Sequence, residues 1–165
     1  MTSHDRPTSA AASERARASL RRVLFVDAAT SAAAGLVLAV LPQSLAPMLF
    51  PDGGTMLGLG TAGWLLVTGL AFLVFAASVA ATAAPVRPRR GPVAAIVGAN
   101  IAFVAGCGLL LLFAGGTMTW AGWILVLLTI DLVAVYAWLE ARYLRASQVR
   151  RDAAPARQPA APLRA

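Results

Sequence analysis

Asp131 has the clearest capacity for chemistry in this sequence, because it lies in the middle of an apolar segment from about Met118 to Leu139. An ionised Asp at the centre of a bilayer costs on the order of 2.5–3.5 kcal/mol, so such residues are candidates for function. Asn100 lies in the preceding apolar segment at a similar depth, about 12 Å from the same membrane face at 1.5 Å per residue. The pair suggests a hydrogen bond that fixes helix register, a proton or ion site, or a contact with a partner protein. We favour the hydrogen bond.

Asp27 and Ser31 form a second candidate pair, in the first apolar segment of the chain. Asp27 lies about one helical turn, roughly 6 Å, inside this segment. We therefore expect it to face Arg21, Arg22 or the arginines of a later loop at the membrane interface. Ser31 and Gly35 follow at i+4 and i+8, which places small or polar side chains on one helix face. That face is predicted to contact another helix.

A stripe of small residues runs along the third apolar segment, because Ala94, Gly98, Ala102 and Gly106 repeat at i+4. Small side chains allow two helix backbones to approach closely. Asn100 lies on the opposite face, at about 100° of rotation per residue. The segment therefore offers two contact faces, inside one bundle or between protomers.

The remaining reactive residues exclude several functions. The chain has one Cys, which cannot form an intrachain disulfide or a cysteine zinc cluster, and one His, which lies near the N-terminus. A histidine metal site and a Ser–His–Asp triad are therefore excluded, and we expect no enzymatic activity, metal or cofactor. Cys107 is expected to act as a small apolar side chain. Glu140 is expected to be a surface carboxylate beside Arg142 and Arg145.

Composition predicts the elements that position these residues. The chain has 165 residues, of which 59% are hydrophobic and 13% charged. A soluble domain has about 25% charged residues. Four apolar segments, at about residues 23–41, 56–82, 92–114 and 118–139, have the length of membrane spans. We predict an all-α bundle of four transmembrane helices, with disordered basic tails at residues 1–22 and 142–165. Prolines and glycines between the first two segments predict a loop without helix.

The arginines predict the orientation of the spans. All 14 basic residues are Arg: five precede the first segment, three lie between the second and third, and six follow the fourth. By the positive-inside rule, both termini and the middle loop are cytoplasmic. A signal peptide is a competing interpretation of the first segment, but an apolar stretch of about 19 residues exceeds the usual length of roughly 7–15.

Three short motifs within residues 20–145 carry a resemblance. They are an Arg-Arg pair before an Asp-containing span, Gly-Ala-Asn in the third span, and a fourth span that ends in Leu-Glu-Ala-Arg-Tyr-Leu-Arg. In this sequence they are Arg21-Arg22-Val23 through Asp27, Gly98-Ala99-Asn100, and Leu139 through Arg145. With these motifs the chain resembles a group of small four-span integral membrane proteins of high-GC bacteria. The resemblance implies an architecture and no particular activity.

These observations lead to two hypotheses about function. The first is a non-enzymatic structural or accessory protein of a bacterial inner membrane, which acts through helix contacts with a second copy or with another membrane protein. The second is a small oligomeric transporter or channel that uses Asp131 with Asn100. In both, the arginines are expected to contact anionic lipid headgroups and not nucleic acid.

Overall fold

The computed structural model describes residues 9–56, 58–85 and 88–152, and these residues form five α-helices. The helices are α1 (Ser9–Val40), α2 (Pro42–Leu49), α3 (Thr61–Ala83), α4 (Arg90–Ala114) and α5 (Trp120–Asp152). Two short strands, β1 (Thr55–Met56) and β2 (Leu59–Gly60), precede α3, and a single 3-10 turn at Gly115–Thr117 joins α4 to α5.

Four of the helices are long and apolar enough to cross a membrane. These stretches are Ala18–Val40, Thr61–Ala83, Arg90–Thr117 and Trp120–Arg145. The predicted all-α bundle of four spans is confirmed, and the chain is a multi-pass membrane protein.

Both predicted tails are partly helical. Residues 9–22 continue α1 and residues 142–152 continue α5, whereas residues 1–8 and 153–165 lie outside the described residues. Residues 9–22 are rich in Ala and Arg and residues 142–152 are rich in Arg, and both residue types have high helix propensity. Because each stretch extends a membrane helix that already exists, it needs no separate nucleation.

The segment between the first two spans differs from the prediction in two ways. The expected loop contains α2, because Pro42 lies in the first turn, where its missing N–H is not needed, and Pro47 lies near the end of a short helix. The second span begins at Thr61 and not at residue 56. Thr55–Met56 and Leu59–Gly60 instead pair as antiparallel strands, with Met56 opposite Leu59, and Gly58 adopts a φ of 78° that helices do not contain.

The spanning helices pack as two antiparallel pairs. The contact between α1 and α3 is the most extensive, the contact between α4 and α5 is next, and α1 also touches α5. α3 makes few contacts with α4. The bundle is therefore closed on the side of α1 and α5 and looser between α3 and α4.

Gly35 and Gly69 bring α1 and α3 together. A Cβ atom at Gly35 would lie 2.8 Å from the carbonyl oxygen of Gly69, and one at Gly69 would lie 2.7 Å from the carbonyl oxygen of Gly35. Neither position can hold a larger side chain unless the helices move apart. The contact face that Gly35 was predicted to share with Asp27 and Ser31 is a close helix contact at this position.

The small-residue stripe of α4 does not join helices within one chain. Ala94, Gly98, Ala102 and Gly106 are all exposed, and a Cβ atom at either glycine would meet nothing within 4 Å. α4 turns its other side inward, and the buried residues there are Val93, Ile96, Val97 and Asn100. A contact of the stripe with a second chain stays a prediction.

One end of the bundle carries the described arginines, and we call it the arginine end. Those whose side chains the structure describes are Arg15, Arg21, Arg22, Arg89, Arg90, Arg142 and Arg145. The main apolar core lies at this end and consists of Leu20, Leu24, Ala28, Val79, Ala83, Val93 and Ile96. Arg21 donates its Nε–H to the carbonyl of Ala83 at 3.1 Å, which ties the start of α1 to the end of α3.

The opposite end is closed by α2 and the start of α5. The backbone N–H of Thr119 donates to the carbonyl of Leu49 at 3.0 Å. Trp123 donates its indole N–H to the carbonyl of Gly115 at 2.9 Å and so fixes the turn between α4 and α5. These contacts hold the short helix across the end of the bundle.

Candidate functional site

Three polar side chains from three different helices are buried together toward the arginine end. Asp27 of α1 is 1% exposed, Asn100 of α4 is 3% exposed and Glu140 of α5 is 0% exposed. They are the buried polar or charged residues of the described part of the chain. With Ser31 they form a cluster that we call the polar centre.

Hydrogen bonds connect the polar centre in pairs. Ser31 Oγ donates to Asp27 Oδ1 at 3.2 Å, and Asn100 Nδ2 donates to Glu140 Oε2 at 3.4 Å. Asn100 also lies beside Asp27, so its amide stands between the two carboxyl groups. The amide therefore links the carboxyl of α1 to the carboxyl of α5.

Each carboxyl group keeps one oxygen without a partner. Asp27 Oδ2 and Glu140 Oε1 are buried, and neither has a hydrogen bond within the described part of the chain. Buried carboxyl oxygens are normally hydrogen-bonded, because they have lost their hydration. These two oxygens are therefore available to a proton or to another positively charged ligand.

The two carboxyl groups lie close enough for their charges to repel each other. Of the arginines on the same helices, Arg21 donates to the carbonyl of Ala83, Arg22 is exposed, and Arg142 stacks 5.5 Å from the ring centre of Trp138. Among the described residues, no three His, Cys, Asp or Glu side chains converge on a metal site. The polar centre offers the oxygen atoms of two carboxyl groups, one amide and one hydroxyl as ligands for a cation.

A small cavity of about 260 Å³ adjoins the polar centre. Its polar lining comes from Ser31 and Asn100, together with Thr30, Thr129 and Tyr136. Thr30 Oγ1 and Tyr136 Oη are 3.4 Å apart, so the hydroxyls of α1 and α5 meet at the cavity wall. Asp27 and Glu140 do not line the cavity, since Ser31 and Asn100 stand between it and the carboxyls.

Asp131 does not belong to the polar centre, contrary to the predicted pair with Asn100. Asp131 is exposed on the outer surface of α5, and the partner of Asn100 is Glu140. The nine residues between Asp131 and Glu140 correspond to about 900° of helix rotation, which places the two on opposite faces. Equal depth in the membrane did not decide which face of α5 turns inward.

Glu140 and Asp27 are both more buried than the sequence indicated. Glu140 was expected to be a surface carboxylate and is instead fully enclosed. Asp27 was expected to face arginines at the interface and instead bonds to Ser31 inside the bundle. The signal for Glu140 was its spacing from Tyr136 and Ala137, which lie four and three residues earlier and are buried on the same helix face.

No protein-family model matches the sequence, and comparisons with curated proteins and with solved structures give no match. The chemistry of the site is therefore inferred from its own residues.

Proposed function

We propose that the protein is a small, non-enzymatic carrier of a bacterial inner membrane that binds a cation at the polar centre. One observation supports this proposal: two fully buried carboxyl groups, Asp27 and Glu140, each hold an oxygen without a partner. This assignment replaces the hypothesis that Asp131 and Asn100 form the ion site.

The energetics of burial favour a bound cation. Removing a carboxylate from water costs several kcal/mol per ion, and a second carboxylate nearby adds repulsion. A proton or a metal ion bound at the free oxygen of either group reduces both penalties. Ionisable residues inside membrane spans commonly mark ion pathways or proton relays for the same reason.

The distribution of arginines supports an orientation with both termini and the middle loop in the cytoplasm. The polar centre then lies in the cytoplasmic half of the membrane, and arginines surround it at the anionic headgroups.

Thermal unfolding in detergent tests whether the polar centre binds a cation. In one arm, NaCl is added at a concentration low enough to leave the ionic strength nearly constant, and in the other the pH is lowered. We expect the parent to melt at a higher temperature with Na⁺ or with protons, because a ligand that binds only the folded state stabilises it. D27N and E140Q should lose this response, and D131N should keep it as the matched control.

Two results would overturn the proposal. The first is a parent whose melting temperature responds to neither arm. The second is a response that E140Q and D27N retain and D131N loses, since that pattern would place the cation at the outer surface of α5.

The exposure of Asp131 supports a second candidate function, that of an accessory protein which acts through helix contacts. Asp131 is exposed near the middle of the span Trp120–Arg145, where lipid offers it no hydrogen bond. A second copy of the chain that packs on this face would supply a partner for the carboxyl and could use the small-residue stripe of α4.

Cysteine crosslinking in membranes tests this association. Val135 lies on the exposed face of α5, one turn from Asp131, and Val74 is an exposed control on α3. In a chain with Cys107 replaced by Ala, V135C should form disulfide-linked dimers and V74C should not. Dimers at neither position, or equal dimers at both, would contradict self-association through α5.

A further inference from the structure

The small cavity beside the polar centre borders a second, larger one. The larger cavity has a volume of about 850 Å³ and lies toward the opposite end of the bundle. Both cavities are lined by Ala34, Phe72, Phe103 and Thr129. We call the smaller one the inner chamber and the larger one the outer chamber.

An aromatic pair stands between the two chambers. The rings of Phe72 on α3 and Phe103 on α4 meet edge to face, with centroids 5.0 Å apart and planes at 61°. Few other contacts join α3 to α4. The boundary between the chambers is therefore aromatic, and the faces of aromatic rings attract cations.

The outer chamber suits the apolar body of a ligand. Its lining is almost entirely apolar, with residues such as Val37, Leu38, Leu45 and Leu110. A volume of about 850 Å³ falls within the range of roughly 300–1,000 Å³ that is typical of sites for small organic molecules. A proton or a metal ion alone would not need this space.

The inner chamber suits a positive charge. Its wall carries Ser31 and Asn100, and each of these side chains is hydrogen-bonded to a carboxyl group directly behind it. Asp27 and Glu140 therefore place negative charge behind a polar wall. An anionic head would be repelled there, and an uncharged apolar group would leave the polar wall without partners.

We propose that the two chambers bind an organic cation with an apolar body. Its body fills the outer chamber, and its charge faces Ser31 and Asn100 across Phe72 and Phe103, with Asp27 and Glu140 as counter-ions. The inference rests on the proposed cation site and names the class of substrate that this site takes.

Two probes of the same shape and opposite charge, tetraphenylphosphonium and tetraphenylborate, test the inference by equilibrium dialysis against the purified protein in detergent. The parent should bind the phosphonium and not the borate. D27N and E140Q should each bind the phosphonium at least about tenfold more weakly, which corresponds to the loss of one stabilising charge interaction of about 1.4 kcal/mol. D131N should bind like the parent.

A variant that fills the outer chamber separates the contribution of shape from that of charge. Leu38 lines the outer chamber and lies outside the polar centre. L38W should weaken phosphonium binding and leave the response of the melting temperature to Na⁺ or protons unchanged.

The outcomes distinguish this inference from the proposed function. The inference would be overturned if both probes bound equally and if D27N and E140Q did not change this binding. The chambers would then bind ligands through apolar contacts alone. Absence of phosphonium binding beside an intact Na⁺ or proton response would also overturn it, while the proposed cation site would stand. Absence of both responses would overturn both.

Discussion

Asn100 is the residue that connects the two acidic side chains of the bundle. Its amide donates to Glu140 and lies beside Asp27, so one neutral side chain links three helices. An amide is suited to this position because it can donate to one carboxyl and accept from the other when that group is protonated. The arrangement explains why Asn, and not an apolar residue, occupies a position that is 3% exposed.

Replacement of Asn100 by Leu should destabilise the protein. In N100L, both oxygens of Glu140 would lack a partner, and an unsatisfied buried group costs about 1–3 kcal/mol. The melting temperature in detergent should fall, and the double variant N100L/E140L should recover most of the loss. A95L, at an exposed position of the same helix, serves as the control. An N100L protein that melts like the parent would show that the amide has no structural role.

The sequence predicts which residues share one face of a helix, but it does not predict which residues pair between two helices. The positions of Asp27, Ser31 and Gly35 on one face follow from i+4 periodicity. The pairing of Asn100 with Asp131 was inferred from depth alone, and depth is the same for every face of a helix. Glu140 lies close to Arg142, and this neighbour concealed its burial.

At the scale of the elements, two pairs of glycines in the spans have different environments. Gly35 and Gly69 are in contact between α1 and α3, whereas Gly98 and Gly106 lie on an open face of α4. The small-residue stripe of α4 therefore lies on an exposed face of that helix. Gly35 and Gly69 lie on separate helices and have no common spacing in the sequence.

Replacement of these glycines by leucine should have different effects in the two environments. G35L or G69L should force α1 and α3 apart and cost about 1–3 kcal/mol or more, because overpacking displaces the backbone. G98L should leave the melting temperature of the isolated chain nearly unchanged. Equal losses at Gly35 and Gly98 would contradict the observed packing of α1 against α3.

The number and type of the spanning helices followed from hydropathy, but their boundaries did not. The stretch from Met56 to Gly60 is apolar enough to extend the second span. Gly58, however, has a positive φ and lies between the two paired strands β1 and β2. Local backbone conformation overrode composition at this boundary.

At the scale of the whole molecule, the chambers depend on which helices are neighbours. They exist because α3 and α4 make few contacts while their partners α1 and α5 touch. Helix order in a bundle is set by the sum of many weak apolar contacts, and no short motif encodes it. The sequence therefore predicted four spans but not the space between them.

The orientation of the molecule makes a prediction of its own. Reporter fusions after Arg22, Arg90 and Arg145 should be active on the cytoplasmic side, and a fusion at Gly53 should be active on the other side, because cytoplasmic loops retain arginines. The reporter activity of each fusion, measured in growing cells, would show which side of the membrane the fused residue faces. A cytoplasmic signal at Gly53 would contradict the four-span topology.

Infrared difference spectroscopy tests most directly the central claim that Asp27 and Glu140 bind a cation. Spectra of the protein in lipid, recorded at constant pH before and after addition of Na⁺ or tetraphenylphosphonium, report changes in carboxyl groups. We predict a carboxyl difference band in the parent and in D131N that is lost in D27N and in E140Q. A difference band that persists in both D27N and E140Q, or is lost in D131N alone, would contradict the claim.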